Sequence, residues 1–315
     1  NTIGNRFTLH GIENTEDTRR TFRELLCTTP GIERYLSGVI LHEETFAQAM
    51  HDGTPFTQFL FARNILAGIK VDKGLERERE WPDGDVTQGL EGLGDRLREY
   101  KAQGAYFTKW RATASVQMPL GSPSVRENAA RMAAYAEAAL NEGLVPMVEP
   151  EVLMDGGHSA SEAEDALVEV ISVFVDALHA RSVDVKNVIL KTSMAVSGSD
   201  ASVRASPEEV AERTVRALTA AVPDEIGGIA FLSGGQTPEE AVANLNAIAR
   251  SEPLPWDITF SFSRALQQPV LERWGGKVEN VSDAQSIFLE RVSLAVLADA
   301  GGYSKSQEES ALGDL

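Results

Sequence analysis

Cysteine is almost absent from the 315-residue chain. Cys27 is the only one, so neither an intrachain disulfide framework nor a multi-cysteine metal site is available. Histidine is nearly as scarce. His10, His42, His51, His158 and His179 are dispersed and never stand at the spacing of a metal pair, and His42-Glu43-Glu44 lacks the second histidine of a zinc-protease helix. Long hydrophobic runs are missing too, none approaching the roughly 20 residues that span a bilayer. Positive charge is in short supply: 47 acidic residues face 29 basic ones, giving a net charge of −18. That balance argues against nucleic acid or an anionic membrane as partner. Only eight of the basic residues are lysines, against 21 arginines, so a lysine inside an apolar segment is informative. Together these absences predict a protein of a reducing, cytoplasmic compartment that holds no metal.

What is present is alternation. Short apolar runs, each rich in Val, Ile, Leu and Phe, predict strands at 36–41, 67–72, 106–112, 144–151, 187–191, 227–233 and 258–263. Amphipathic stretches between them predict helices at 87–103, 124–142, 161–180, 207–221, 238–248 and 282–298, with a further helix from about Asn14 to Leu26. Ser122-Pro123 opens one helix, Asn141-Glu142-Gly143 closes it, and Ser206-Pro207-Glu208-Glu209 puts proline and acids into a first turn. Strands alternating with helices at this spacing call for a parallel sheet with helical crossovers.

Seven strand–helix units fit an open doubly wound sheet or an eight-stranded barrel. The open sheet would carry a Gly-rich phosphate turn after its first strand, and no G-x-G-x-x-G occurs. The expectation is therefore an α/β fold of the (β/α)8 TIM-barrel class, with its first strand falling before Asn1. Residues 1–315 read as a single domain, ending in a polar, mobile tail from about residue 303.

Charges then stand where a core should be. Residues two apart on a strand share a face. Lys109 and Arg111 flank Trp110, Glu149 and Glu151 flank Pro150, Lys70 and Asp72 flank Val71, and Lys191 ends the run Val188-Ile189-Leu190. Any one pair reads equally well as a rim ion pair. Four strands together favour a site, because buried charges are costly unless they pair or work. An amine in an apolar site near other cations loses its proton more readily and can attack a carbonyl to form an imine. Carboxylates beside it supply the proton transfers that imine formation requires. Lys191 is the better nucleophile candidate, with Lys109 as its cationic neighbour.

The turn Ser233-Gly234-Gly235 leads into a helix, and Ser261-Phe262-Ser263-Arg264 ends the last strand. Alone, Ser-Gly-Gly is an ordinary helix-entry turn. With Arg264 on the adjacent strand end it reads as a phosphate site, which such barrels place after strands seven and eight.

These segments resemble the class I fructose-bisphosphate aldolases, the Schiff-base type. The resemblance is carried by Glu13–Asp17, Gly38–Leu41, Gly68–Gly74, Gln88–Leu93, Lys109–Arg111, Val145–Glu151, Leu190-Lys191, Phe231–Gln236 and Arg264–Leu266. It implies that Lys191 forms the Schiff base, Glu149 is the general acid/base, Glu151 orients the lysine network and Lys109 stabilises developing charge. It further implies that Ser233, Gly234, Gly235, Ser261, Ser263 and Arg264 hold the phosphate of the dihydroxyacetone half, while Lys70, Arg6 and Arg111 face the other phosphate. The implied reaction is reversible cleavage of fructose 1,6-bisphosphate to dihydroxyacetone phosphate and glyceraldehyde 3-phosphate. No cofactor is implied beyond the covalent imine, and the family suggests a homo-oligomer, a tetramer. The sequence departs from the family at several points. The Asp-Glu-Ser motif that ends the family's first strand would fall immediately before Asn1. Asn5 stands for a common lysine, Thr192 for a proline and Ser263 for a glycine, and the chain ends in Asp314-Leu315 rather than tyrosine.

Two alternatives stay open from sequence. One is another Schiff-base sugar-phosphate enzyme of the transaldolase kind, against which two-ended phosphate binding through Lys70 and Arg264 speaks. The other is a catalytically impaired barrel acting as a binding protein.

Overall fold

The computed structural model describes residues 2–118, 121–251 and 253–308. The described chain opens with helices α1 (Thr2–Leu9) and α2 (Glu16–Cys27), followed by β1 (Gly38–Leu41), α3 (Glu43–Ala47), α4 (Phe56–Ala62) and β2 (Leu66–Lys70). A hairpin of β3 (Gly74–Glu76) and β4 (Val86–Gln88) precedes α5 (Leu93–Ala102). Strand and helix then alternate through β5 (Ala105–Ser115), α6 (Pro123–Asn141), β6 (Val145–Leu153), α7 (Ala160–Ala180), β7 (Ile189–Thr192), α8 (Pro207–Ala221), β8 (Ile229–Phe231), α9 (Pro238–Ala249) and β9 (Ile258–Phe260). Helices α10 (Arg264–Trp274) and α11 (Val281–Asp299) follow.

All seven expected strands form, and they build one parallel sheet in the order β1-β2-β5-β6-β7-β8-β9. Helices separate successive strands, so the architecture is an α/β fold of the TIM-barrel type. Among the described residues the sheet has seven strands, with β1 and β9 at its edges. The eighth strand expected ahead of Asn1 is no part of this sequence.

The expected helix starts are largely correct for reasons visible at their caps. Ser159 and Thr237 each form a capping box, with Glu162 and Glu240 respectively, and the Ser206 hydroxyl accepts from the N–H of Glu209. The exception is the helix expected at 87–103, which begins only at Leu93. Gln88 is instead the end of the hairpin. Gly89 follows it with φ +125°, where a Cβ would lie 2.9 Å from the N of Lys73, and Gly92 is left-handed at the N-cap.

Register decides what faces inward. Lys70 pairs with Lys109, and Arg111 pairs with Glu149. The β6–β7 pairing Val148 to Leu190, carried one residue further, sets Lys191 beside Glu149. One face of β5, β6 and β7 therefore carries Lys109 and Arg111, Glu149 and Glu151, and Lys191. The opposite face is anchored outside: fully buried Trp110 stacks on Tyr135 of α6 at 5.4 Å, and the Tyr135 hydroxyl lies 2.8 Å from that of Thr108. Losing such an aromatic would cost about 3–5 kcal/mol, and with it the direction of Lys109. Lys109, Arg111, Glu149 and Glu151 lie mid-strand, since β5 runs on to Ser115 and β6 to Leu153, whereas Lys70 is the last residue of β2 and Lys191 the next to last of β7.

Two terminal features depart from expectation. Residues 2–9, which lie ahead of the first expected helix, form α1, with Phe7 fully buried against Phe22 (5.9 Å) and Trp274 (6.1 Å). The tail expected to be mobile from about 303 begins with a docked segment. Buried Glu308 lies 2.5 Å from buried Arg291 and accepts the Tyr303 hydroxyl at 3.1 Å. Residues 309–315 of that tail lie outside the described residues.

Candidate active site

The centre of the mouth is a carboxylate shared by two amines. Glu149 on β6 is buried; Lys191 Nζ lies 2.8 Å from its Oε1 and Lys109 Nζ 2.6 Å from its Oε2. Both lysines are themselves buried. Burial alone would raise the Glu149 carboxyl, but the two ammonium groups outweigh it and hold it down at about 2. Glu149 is therefore ionised throughout the physiological range. It stands within proton-transfer distance of both amines, which is the geometry a general acid/base needs.

Glu151, two residues on, pairs with the Arg111 guanidinium. Burial would lower the Arg111 value, but hydrogen bonding to Glu151 and the charges of Glu151, Glu149 and Asp72 raise it. Lys70 completes this side. Its ammonium lies 2.5 Å from Asp72 Oδ1 and donates to the Asp72 carbonyl at 2.8 Å. The cationic field registers on His42, just beyond β1. Its surroundings, then Arg23, Lys70 and Lys109, push its imidazole down to about 4, so it is neutral at pH 7.

A second centre lies across the mouth at β8, β9 and α10. Gly235 has φ +68°, and a Cβ there would lie 2.6 Å from Met154 Cβ, so only glycine fits. The N–H groups of Gly234 and Gly235 find no acceptor among the described residues. Helix α10 starts at Arg264, aiming its N-terminal N–H groups here, and the Ser233 hydroxyl accepts from Ala265 N–H at 3.5 Å. Backbone donors at a helix N-terminus make an anion site. Ser261 donates its N–H to Phe231 O at 2.8 Å, so only its hydroxyl remains for a ligand.

Arg6 belongs to this second centre and not beside Lys70. The Phe7 anchor lays α1 against α10, and Arg6 Nη1 donates to Ser263 Oγ and Gln267 Oε1, both at 3.4 Å. Burial, then repulsion from Arg264, lowers the Arg6 value. Gln267 was not foreseen, because Pro269 hides the helix that carries it. Asp72 was legible as a charge in register with Lys70, yet its contacts were not.

Lys191, Glu149 and Lys109 are in direct contact, with Glu151, Arg111, Lys70 and Asp72 beside them. Ser233, Gly234, Gly235, Ser261, Ser263, Arg264 and Arg6 gather at the ends of β8 and β9 and the start of α10. The two centres adjoin: a Cβ on Gly234 would lie 3.2 Å from Glu151 Oε1. A carbonyl-attacking amine, a carboxylate to manage its protons and flanking anion sites suit imine chemistry on a phosphorylated carbonyl compound. Among the described residues, no group of three or more His, Cys, Asp or Glu side chains is arranged to hold a metal ion.

Comparison with known proteins agrees with this geometry. The family model for fructose-bisphosphate aldolase class-I matches residues 1–314. The chain is 45% identical over 306 residues to the cytosolic fructose-bisphosphate aldolase 6 of Arabidopsis thaliana, covering 96% of this chain and 85% of the relative. It is 44% identical over 305 residues to the probable fructose-bisphosphate aldolase class 1 of Xanthomonas campestris, covering 96% and 91%. Among solved structures, it superposes with a TM-score of 0.93 on the Plasmodium falciparum aldolase crystallised with TRAP and a small-molecule inhibitor. That pair is 40% identical, covering 96% of this chain and 88% of that one. With its lysine–glutamate centre, its phosphate-type rim and a match along nearly its whole length, the chain belongs to the class I fructose-bisphosphate aldolase family.

Proposed function

We propose that this protein cleaves fructose 1,6-bisphosphate reversibly into dihydroxyacetone phosphate and glyceraldehyde 3-phosphate through an imine on Lys191. The observation that carries this reading is Glu149 standing 2.8 Å from Lys191 and 2.6 Å from Lys109 inside the barrel. Glu149 takes the proton that frees the Lys191 amine. The amine adds to the ketose carbonyl, and Glu149 returns the proton to the carbinolamine hydroxyl as it leaves as water. The resulting iminium accepts the electron pair of the breaking carbon–carbon bond, while Glu149, again a carboxylate, takes the proton of the 4-hydroxyl as that carbon becomes the aldehyde. Lys109 offsets charge near the reacting carbons, and Glu151, held by Arg111, orients the network. The centre around Ser233, Gly234, Gly235, Ser261, Ser263, Arg264 and Arg6 holds the phosphate of the dihydroxyacetone half. Lys70 and Arg111 face the other. The covalent imine serves as electron sink, so the chemistry calls for no metal. By family, the working form is a cytoplasmic homotetramer.

Borohydride reduction with dihydroxyacetone phosphate tests the assignment. A stable adduct on Lys191, formed equally well in EDTA, is expected, and Lys191→Met should abolish both adduct and cleavage. An adduct on another lysine, or activity lost to the chelator, would overturn it. Adduct formation without cleavage would favour the impaired barrel.

A further inference from the structure

Asp72 is the carboxylate at the mouth to which the roles above give no task, and its contacts are specific. Its side chain is 2% exposed. One oxygen takes Lys70 Nζ at 2.5 Å and the N–H of Gly74 at 3.2 Å; the other accepts the N–H of Arg111 at 3.2 Å. The Asp72 carbonyl accepts Lys70 Nζ a second time, at 2.8 Å.

Two consequences follow. An ammonium has three N–H donors. Asp72 occupies two of those on Lys70, so the third is the one left for a ligand, and the Lys70 side chain is open to solvent by 23%. A lysine side chain is otherwise flexible about four rotatable bonds; here one residue fixes where it points. The Arg111 contact also lies beyond the last pair of the β2–β5 ladder, Lys70 to Lys109. The same carboxylate therefore ties the end of β2 to the strand that carries Lys109 and Arg111.

We propose that Asp72 is a positioning residue that aims Lys70 at the phosphate of the aldehyde half, and thereby sets the preference for two-phosphate over one-phosphate ketoses. This rests on the aldolase reading. In Asp72→Asn the single amide oxygen serves either Lys70 and the Gly74 N–H or the Arg111 N–H, but not both sides, and in either setting the negative charge that pins the Lys70 ammonium is gone.

KM for fructose 1,6-bisphosphate should then rise about tenfold, the size of one charge-assisted hydrogen bond. KM for fructose 1-phosphate should stay within about twofold, and the borohydride adduct should form on Lys191 at the wild-type rate. An unchanged ratio of the two KM values overturns the proposal, and so does an equal rise in both, which would mark a merely structural residue. Should Asp72→Asn not fold, Lys70→Met decides: it must reproduce the same selective rise, and a ratio left at the wild-type value sinks the proposal. Absence of the Lys191 adduct in the wild-type protein would instead defeat the aldolase reading itself.

Discussion

The two centres of the mouth follow opposite electrostatic plans. Across β2, β5, β6 and β7 each cation has an acid: Lys70 has Asp72, Arg111 has Glu151, and Lys109 and Lys191 share Glu149. Around α1, β9 and α10 the reverse holds. Arg6 and Arg264 form no ion pair among the described residues, and Arg6 is held by neutral oxygens of Ser263 and Gln267. The first centre is neutralised in advance, which suits it to moving protons between groups already in contact. The second is left with uncompensated positive charge, which suits it to receiving an anion. A net charge of −18 is thereby compatible with a phosphorylated ligand, because the cations that matter are gathered locally.

The comparison can be broken most severely at its first member. Glu149→Gln removes the shared acid, and imine formation in a rapid-quench trapping assay should slow about 10²–10³-fold. Affinity for inorganic phosphate, read by calorimetry, should stay within about twofold; equal loss of both would mean that the two centres are not separate. The same variant tests the charge balance. Folded Glu149 sits at about 2 against an ordinary 4.5. Between those values the unfolded chain binds a proton that the folded one does not, so the wild type loses stability as pH falls through that window. Glu149→Gln should lack this part of the acid slope in denaturant titrations at pH 5, 4 and 3.

Arg264→Ala probes the second member. KM for fructose 1,6-bisphosphate should rise about tenfold with a smaller change in kcat, and the penalty should shrink as salt is raised. A fall in kcat with KM unchanged would place Arg264 in the chemistry instead. The smallest effect is spectroscopic. Lys70→Met removes one of the cations acting on His42, so its imidazole should titrate closer to the ordinary 6.5 by NMR. An unmoved value would mean that Lys70 does not act on His42.

Much of this was legible because strand physics is simple. Lys109-Trp110-Arg111 and Val148-Glu149-Pro150-Glu151 declare two inward charges by parity alone, and Lys191 closes an uninterrupted apolar run. Less legible was whatever depends on tertiary contact. Helix α1 contains Gly4 and Asn5, poor helix formers, and is placed by Phe7 against Phe22 and Trp274, so its sequence gives no sign that Arg6 reaches Ser263 and Gln267. Helix α10 carries Pro269 in its interior, which reads as a break, and with it went Gln267. The hairpin after β2 carries its own signal: Gly89 and Gly92 stand three residues apart at its end, and glycines in a helix interior weigh against a helix running through both. The docked segment after α11 could not be foreseen, since a polar run gives no sign that Glu308 has Arg291 waiting.

The arrangement at Glu149 also limits how many amines the centre can expose at once. When Lys191 gives its proton to Glu149, the carboxyl is full and Lys109 keeps its own proton. Freeing both amines at once would need a second acceptor, and Glu149 binds only one. Two amines less than 3 Å from one acid therefore do not make two nucleophiles. They take turns, and an electrophile that enters the mouth should label one lysine per chain and then find the other closed to it.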